Sequence, residues 1–163
     1  MKVCGRVWLF GDDIDTDQIY PGAYLPLTDK KEMAKHAMEG APGGQVFIKG
    51  VQSGDIIIAG KNFGCGSSRE HATVAILGIG ISVVVAKSFA RIFRRNAVNT
   101  GLPILMLDDI AAFHDGDRLE IDTETGTIVN KTSSTEYAAE TVSRLEHEIM
   151  AAGGLLNYLK TKG

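Results

Sequence analysis

Apolar positions in this chain fall in short runs whose spacing changes from segment to segment, and each spacing predicts an element. Val3 to Phe10 alternates loosely, with Trp8 and Phe10 on one face, as in a strand. Between Thr28 and Met38 the residues Met33, Ala34, Ala37 and Met38 recur at helical spacing, which predicts a helix capped by Thr28. Gly40-Ala-Pro-Gly-Gly predicts a loop. Asp55–Ala59 and Ile81–Ala86 are continuous and rich in β-branched residues, the pattern of strands buried on both faces. Between them lie a turn-rich loop, Gly60 to Gly66, and a predicted helix from Ser67 to Leu77 that stops at Gly78. Ser88 is placed to cap a further helix that ends at Asn99-Thr100-Gly101, and Pro103–Leu107 reads as a third apolar strand.

The strand–helix alternation from Asp55 to Leu107 predicts parallel strands with helices packed on the sheet faces. The C-terminal third differs. Arg118–Asp122 and Thr127–Asn130 flank a Thr-Glu-Thr-Gly turn and predict a hairpin. An amphipathic helix is expected from Ala138 to Ala152 on Val142, Leu145 and Ile149, and Gly153-Gly154 sets off a short last helix. No hinge or linker interrupts the chain. The expectation is an α/β fold with a mostly parallel central sheet, in one domain spanning residues 1–163.

Composition narrows the function. The net charge of −3 and the lack of a long basic run argue against nucleic acid or an anionic membrane as partner. The longest nearly apolar stretch, Val74 to Ala86, is broken by Gly78, Gly80 and Ser82 and falls short of the about 20 residues a spanning helix needs. Asp12 and Asp13 interrupt the N-terminal run before a signal-peptide core forms, so a cytoplasmic protein is expected. Cys4 and Cys65 stand far apart without a Cys-x-x-Cys, and the four histidines form no metalloprotease pattern, so no metal is expected to be held by this chain alone. Nineteen glycines, against a usual share of about 7%, are aperiodic and punctuate short elements.

The chemistry concentrates in Gly60-Lys-Asn-Phe-Gly-Cys-Gly-Ser-Ser-Arg-Glu-His71, between a predicted buried strand and a helix, where open α/β sheets bind ligands. Lys61 precedes the glycines, so this is no Walker loop, and Arg69 stands where a dinucleotide fingerprint needs Gly or Ala. Ser67-Ser68-Arg69-Glu70 matches a capping box, which makes Ser67 a helix cap. Arg69 so near a helix start is unfavourable unless it grips an anion, which it can do bidentately. A helix cap at Ser67 and an anion gripped by Arg69 both stand as readings at this point.

Gly60–Ala72, the segment Ala86–Leu105 and the opening Gly5–Gly22 together resemble the small subunit of the isopropylmalate dehydratase (isopropylmalate isomerase) family, and thus the mobile C-terminal domain of aconitases. The likeness runs from Gly5 to Leu159. Arg94 departs from it, standing where relatives often have Tyr. The resemblance implies a swivelling β/β/α domain that closes over a separate large subunit carrying a four-iron, four-sulfur cluster. It implies that Ser67 removes the proton next to a carboxylate of a small hydroxy di-acid, that Ser68 and Arg69 bind substrate, and that Asp17 lies in the active site. The reaction implied is 2-isopropylmalate to 3-isopropylmalate through isopropylmaleate, a hydro-lyase step of leucine biosynthesis. Dimethylmalate and methylmalate dehydration are the neighbouring alternatives.

Within the resemblance, Tyr24-Leu25-Pro26-Leu27-Thr28 matches a loop beside the substrate's substituent. Homoaconitase-like relatives have Tyr-Leu-Arg-Thr there, an Arg suited to an extra carboxylate. Leu25, Pro26 and Leu27 cannot pair with an anion, so an alkyl substituent is expected. Two other classes remain open: a non-catalytic anion-binding or regulatory domain, and a thiol enzyme using Cys65.

Overall fold

The computed structural model describes residues 1–162. Its frame is a seven-stranded sheet in the order β4-β3-β2-β1-β5-β6-β7. The strands are β1 (Lys2–Leu9), β2 (Ile56–Ala59), β3 (Val83–Ala86), β4 (Ile104–Met106), β5 (Arg118–Asp122), β6 (Thr127–Asn130) and β7 (Thr135–Ala138). From β1 to β4 all pairings are parallel, as the alternation predicts, with β1 joining β2 at Val7↔Ile56 and β2 joining β3 at Ile56↔Val83. From β1 outward to β5, β6 and β7 they are antiparallel. The β5–β6 hairpin is the predicted one; β7, which extends it, was not predicted.

Among the described residues there are seven short α-helices: α1 (Thr16–Ile19), α2 (Lys30–Ala34), α3 (Gly44–Gly50), α4 (Glu70–Gly78) and α5 (Arg91–Thr100) lie between strands, and α6 (Arg144–Ala151) and α7 (Leu155–Lys162) follow the last one. A 3₁₀ turn covers Gly22–Tyr24. One hydrophobic core joins helix residues such as Met38, Phe47, Ile76 and Phe93 to the sheet residues Phe10, Ile57, Val84 and Ile104. On the opposite sheet face Ile56, Ile58, Val83, Val85 and Leu105 pack with Leu119, Ile121, Ile128 and Phe113. Helices therefore cover one face only. The second face is closed by the antiparallel strands and the segment around Phe113, which gives the β/β/α arrangement that the resemblance implies.

Several boundaries move for local reasons. Asp29, not Thr28, caps α2 by accepting from Lys31 N, and the helix stops at Ala34, although all four residues of the predicted stripe are buried. Helix α3, unpredicted, buries Phe47 against Trp8 and Phe10 in edge-to-face contacts. The predicted helix from Ala138 starts only at Arg144, where Ser143 and Glu146 form a capping box, because Ala138 pairs with Thr127 in the sheet. Leu145, assigned to its apolar stripe, is 55% exposed. Gly101, at φ 88°, ends α5 as predicted. Among the described residues no helix is long and apolar enough to cross a membrane.

Candidate active site

Strands β1 and β2 run parallel, so the segments leaving their carboxyl ends, residues 10–17 and 60–69, lie side by side. Backbone bonds stitch them together: Asp13 N donates to Lys61 O (2.8 Å), Gly64 N to Ile14 O (2.7 Å) and Thr16 N to Cys65 O (2.8 Å). The other side of the loop is fastened to the exit of β3. Phe63 N donates to Ser88 O (3.0 Å), and Asn62 N to Ser88 Oγ (2.8 Å). Ser88 is thus a strut for the loop. It does not cap α5, whose N-cap is Ala90. Gly64 adopts φ 84° with its α-carbon pressed onto the Phe93 ring, so a β-carbon there would collide with that ring.

This bracing fixes the Gly66-Ser67-Ser68-Arg69 turn. Thr16 Oγ1 donates to Ser67 O (2.8 Å), anchoring the serine's backbone. The N-cap of α4 is Arg69, in extended conformation (φ −136°, ψ 102°), and no side chain caps the helix. Ser67 is therefore not the cap, and the capping-box reading falls. Ser67 and Ser68 are exposed, and among the described residues neither hydroxyl makes a hydrogen bond within the chain.

Arg69 explains its own position. Its Nη1 donates to Asp17 Oδ1 (2.8 Å) and to the Tyr20 carbonyl (3.1 Å). Gly22 N donates to the same Asp17 oxygen (2.9 Å). These two bonds use the Nη1 hydrogens. The Nη2 and Nε hydrogens make no hydrogen bond within the described residues, so a fork remains on a side chain that is only 18% exposed. The guanidinium bond, followed by the Gly22 amide, holds the Asp17 carboxyl below its ordinary pKa. Asp17 and Arg69, 52 positions apart in sequence, are brought into direct contact.

The segment after Asp17 continues from this pair. Gly22 packs beside Arg69 and Asp17, and the 3₁₀ turn carries the chain to Leu25 and Pro26, both exposed, and Leu27, which packs on the core. Sequence reasoning gave Tyr20 and His36 no role and did not foresee their stacking on His71 and Tyr24. Tyr20, fully buried, stacks on His71 (5.5 Å between centroids) and donates its hydroxyl to Tyr24 O. Tyr24 stacks on His36 at 3.5 Å and 12°. The Glu39 carboxylate, chiefly as a hydrogen-bond partner, pushes the Tyr24 phenol above its ordinary pKa. The i, i+4 spacing of Tyr20 and Tyr24 was the only signal in the sequence.

The family model of the aconitase C-terminal domain matches residues 45–109, which include this loop. Two curated relatives named 3-isopropylmalate dehydratase small subunit match almost end to end. That of Thermodesulfovibrio yellowstonii is 50% identical over 99% of this chain and 96% of its own, and that of Aquifex aeolicus 51% identical over 99% and 96%. The chain belongs to the 3-isopropylmalate dehydratase small-subunit family. A crystal structure of 3-isopropylmalate dehydratase from Methanocaldococcus jannaschii, 51% identical, superposes with a TM-score of 0.94 over 99% of this chain and 95% of that one.

A family of this kind raises the question of an iron–sulfur cluster. This small-subunit chain does not offer the donors: Cys4 lies exposed on β1, Cys65 in the loop, and among the described residues no three His, Cys, Asp or Glu side chains converge on a metal position. Cys65 is also a poor nucleophile. Burial first, and the neighbouring Asp15 and Asp13 charges next, push its thiol above the ordinary pKa, which disfavours the thiolate. That weighs against the thiol-enzyme reading. Beside the loop an open cleft of about 680 Å³ runs between Asn62, Gly64 and Gly66 and the exposed Arg91 and Arg95 of α5.

Proposed function

We propose that this chain is the small subunit of a two-subunit hydro-lyase that interconverts 2-isopropylmalate and 3-isopropylmalate through isopropylmaleate, as leucine biosynthesis requires. The large subunit holds the four-iron, four-sulfur cluster, which supplies Lewis-acid assistance to departure of the substrate hydroxyl. The contribution of this chain is base, anchor and wall. The observation that carries the reading is the Ser67 hydroxyl, uncommitted within the chain and set before an uncapped helix start beside the Arg69 fork.

In this reading Arg69 grips a substrate carboxylate with the Nη2 and Nε hydrogens, while Asp17 and the Tyr20 carbonyl hold the guanidinium plane in place. Ser68, exposed beside it, donates to the same carboxylate. Ser67 Oγ takes the proton from the carbon next to that carboxylate. A serine hydroxyl is a weak base unless its ionised form is stabilised. The positive end of α4 and the guanidinium supply that stabilisation once the site is closed to water. The C–H electron pair becomes the double bond as the C–O bond breaks: the proton goes to Ser67 Oγ, the hydroxyl leaves toward the large subunit, whose side supplies the proton that makes it water, and readdition to the other carbon reverses these transfers to complete the isomerisation. Leu25, Pro26 and Leu27 offer the substituent no charge partner, which favours an alkyl group at roughly 0.8 kcal/mol per buried CH₂.

The test is reconstitution of the chain with its cluster-loaded large subunit and assay of both isopropylmalates. Turnover is expected, and Ser67→Ala should abolish it while the complex still forms. Turnover unchanged in Ser67→Ala would remove Ser67 from catalysis. Assembly without turnover of any alkyl-substituted malate would favour the anion-binding or regulatory reading.

A further inference from the structure

The buried hydroxyl of Tyr20 calls for a reason. Its ring packs in the core against His71, and a phenylalanine would pack as well; a hydroxyl there costs desolvation unless it is bonded. Its partner is the Tyr24 carbonyl, which also accepts from Leu27 N (3.0 Å). That carbonyl is thus a fixed point holding both ends of the Tyr24–Leu27 turn, while Leu25 and Pro26 project between them as an exposed apolar tip. The Tyr24 ring is in turn seated on His36, whose Nδ1 lies 3.2 Å from Glu39 Oε2. At the other end of the chain of contacts, the Tyr20 carbonyl accepts from Arg69, and His71 stands two residues beyond Arg69.

From this continuous path we infer that Tyr20 and His36 are positioning residues for substrate selection, acting through Tyr24 to hold the Leu25–Pro26 tip at a set distance from Arg69. The inference rests on the function proposed above. Arg69 fixes the carboxylate, the clamp fixes the apolar tip, and the interval between them selects the substituent. Loosening the clamp leaves the carboxylate anchor and the base untouched but lets the tip give way.

The experiment uses the reconstituted enzyme with Tyr20→Phe, His36→Ala and His36→Phe, measuring kcat/KM on 2-isopropylmalate and on 2-methylmalate. Loss of the Tyr20 hydrogen bond should lower the preference for the isopropyl over the methyl acid about 5-fold, chiefly through KM. His36→Ala should act in the same direction, and His36→Phe, which keeps a flat ring under Tyr24, should restore the preference. A proportional fall on both acids, or no change, would reduce these residues to structural support. In the isolated chain, Tyr20→Phe should also speed hydrogen exchange at the Leu27 amide several-fold. Unchanged exchange there overturns the clamp whether or not the enzyme acts on alkyl malates, whereas a wild-type complex inactive on both acids overturns only the proposed function.

Discussion

Arg69 sits where a helix is least hospitable to a cation, and its neighbours show how that is tolerated. Asp17 neutralises it at 2.8 Å, and the Tyr20 carbonyl takes the second Nη1 hydrogen. In the proposed reaction the unbonded Nη2 and Nε edge is where the substrate carboxylate is gripped, and only a planar fork supplies it. Arg69→Lys should therefore raise KM for the dicarboxylate at least about tenfold although charge is kept, as steady-state kinetics of the reconstituted enzyme would register. The pair also sets a pH signature. Because Asp17 titrates below its ordinary value near 3.8, its contribution is fully present above that value and is lost as pH falls through the lower folded pKa. Between pH 5 and 8 the pair should add no slope to stability. The difference in urea midpoint between wild type and Asp17→Asn should shrink only as pH falls below about 4.

At the scale of elements, Gly64 shows how a loop is locked by what packs beneath it. Its φ of 84° and the Phe93 ring below leave no room for a side chain, and Phe93 is itself in edge-to-face contact with Phe63. Gly64→Ala should destabilise the chain by at least about 2 kcal/mol in urea unfolding, from overpacking and the left-handed backbone together. Turnover should fall as the turn at Ser67 shifts. The legibility of other elements in the sequence follows similar physics. Strands β2 to β4 were readable because a strand buried on both faces must be a continuous apolar run. Strand β7, Thr-Glu-Tyr-Ala, is a mostly exposed edge with no such run and left no trace. The Ser67–Glu70 capping box misled because a local match cannot register that Thr16, 51 residues earlier, holds the Ser67 carbonyl and that Arg69 is extended. The same motif at Ser143–Glu146 is a true capping box: Arg94 also donates to Glu146, but the Ser143 hydroxyl stays on Glu146 N and Ser143 N stays on the carboxylate. The proximity of Asp17 to Arg69 is a product of parallel strand pairing, and only the family resemblance put the two residues in one site.

Across the whole molecule, β1 is the strand on which everything depends, since it alone joins the parallel and antiparallel halves of the sheet. It also delivers Asp17 to the loop that leaves β2, so its alignment with β2 sets the geometry of the candidate site. Three contacts in the β1–β2 pairing are main-chain register; the further device is Asp55, buried just before β2. Its Oδ2 accepts from Trp8 Nε1 (2.9 Å), Gln52 N (2.9 Å) and Arg6 Nη2 (3.3 Å), while Oδ1 accepts from Arg6 N (3.4 Å). Arg6 and Trp8 belong to β1, so one carboxylate pins the strand to the turn that starts its neighbour. Arg6 Nε is already buried without a partner, which leaves this cation little tolerance for losing another acceptor. Asp55→Ala strands the Trp8 and Gln52 donors and the Arg6 charge together, and should cost about 3 kcal/mol in urea unfolding. Asp55→Asn keeps the shape and one acceptor but turns an amide N–H₂ toward donors, so a smaller loss of the same sign is expected. In whatever fraction of Asp55→Asn remains folded, the two segments at the sheet's carboxyl edge should no longer hold Arg69 against Asp17. Turnover of the reconstituted enzyme should therefore fall further than its folded fraction. A turnover that merely tracks the folded fraction would show that β1 register and site geometry are independent.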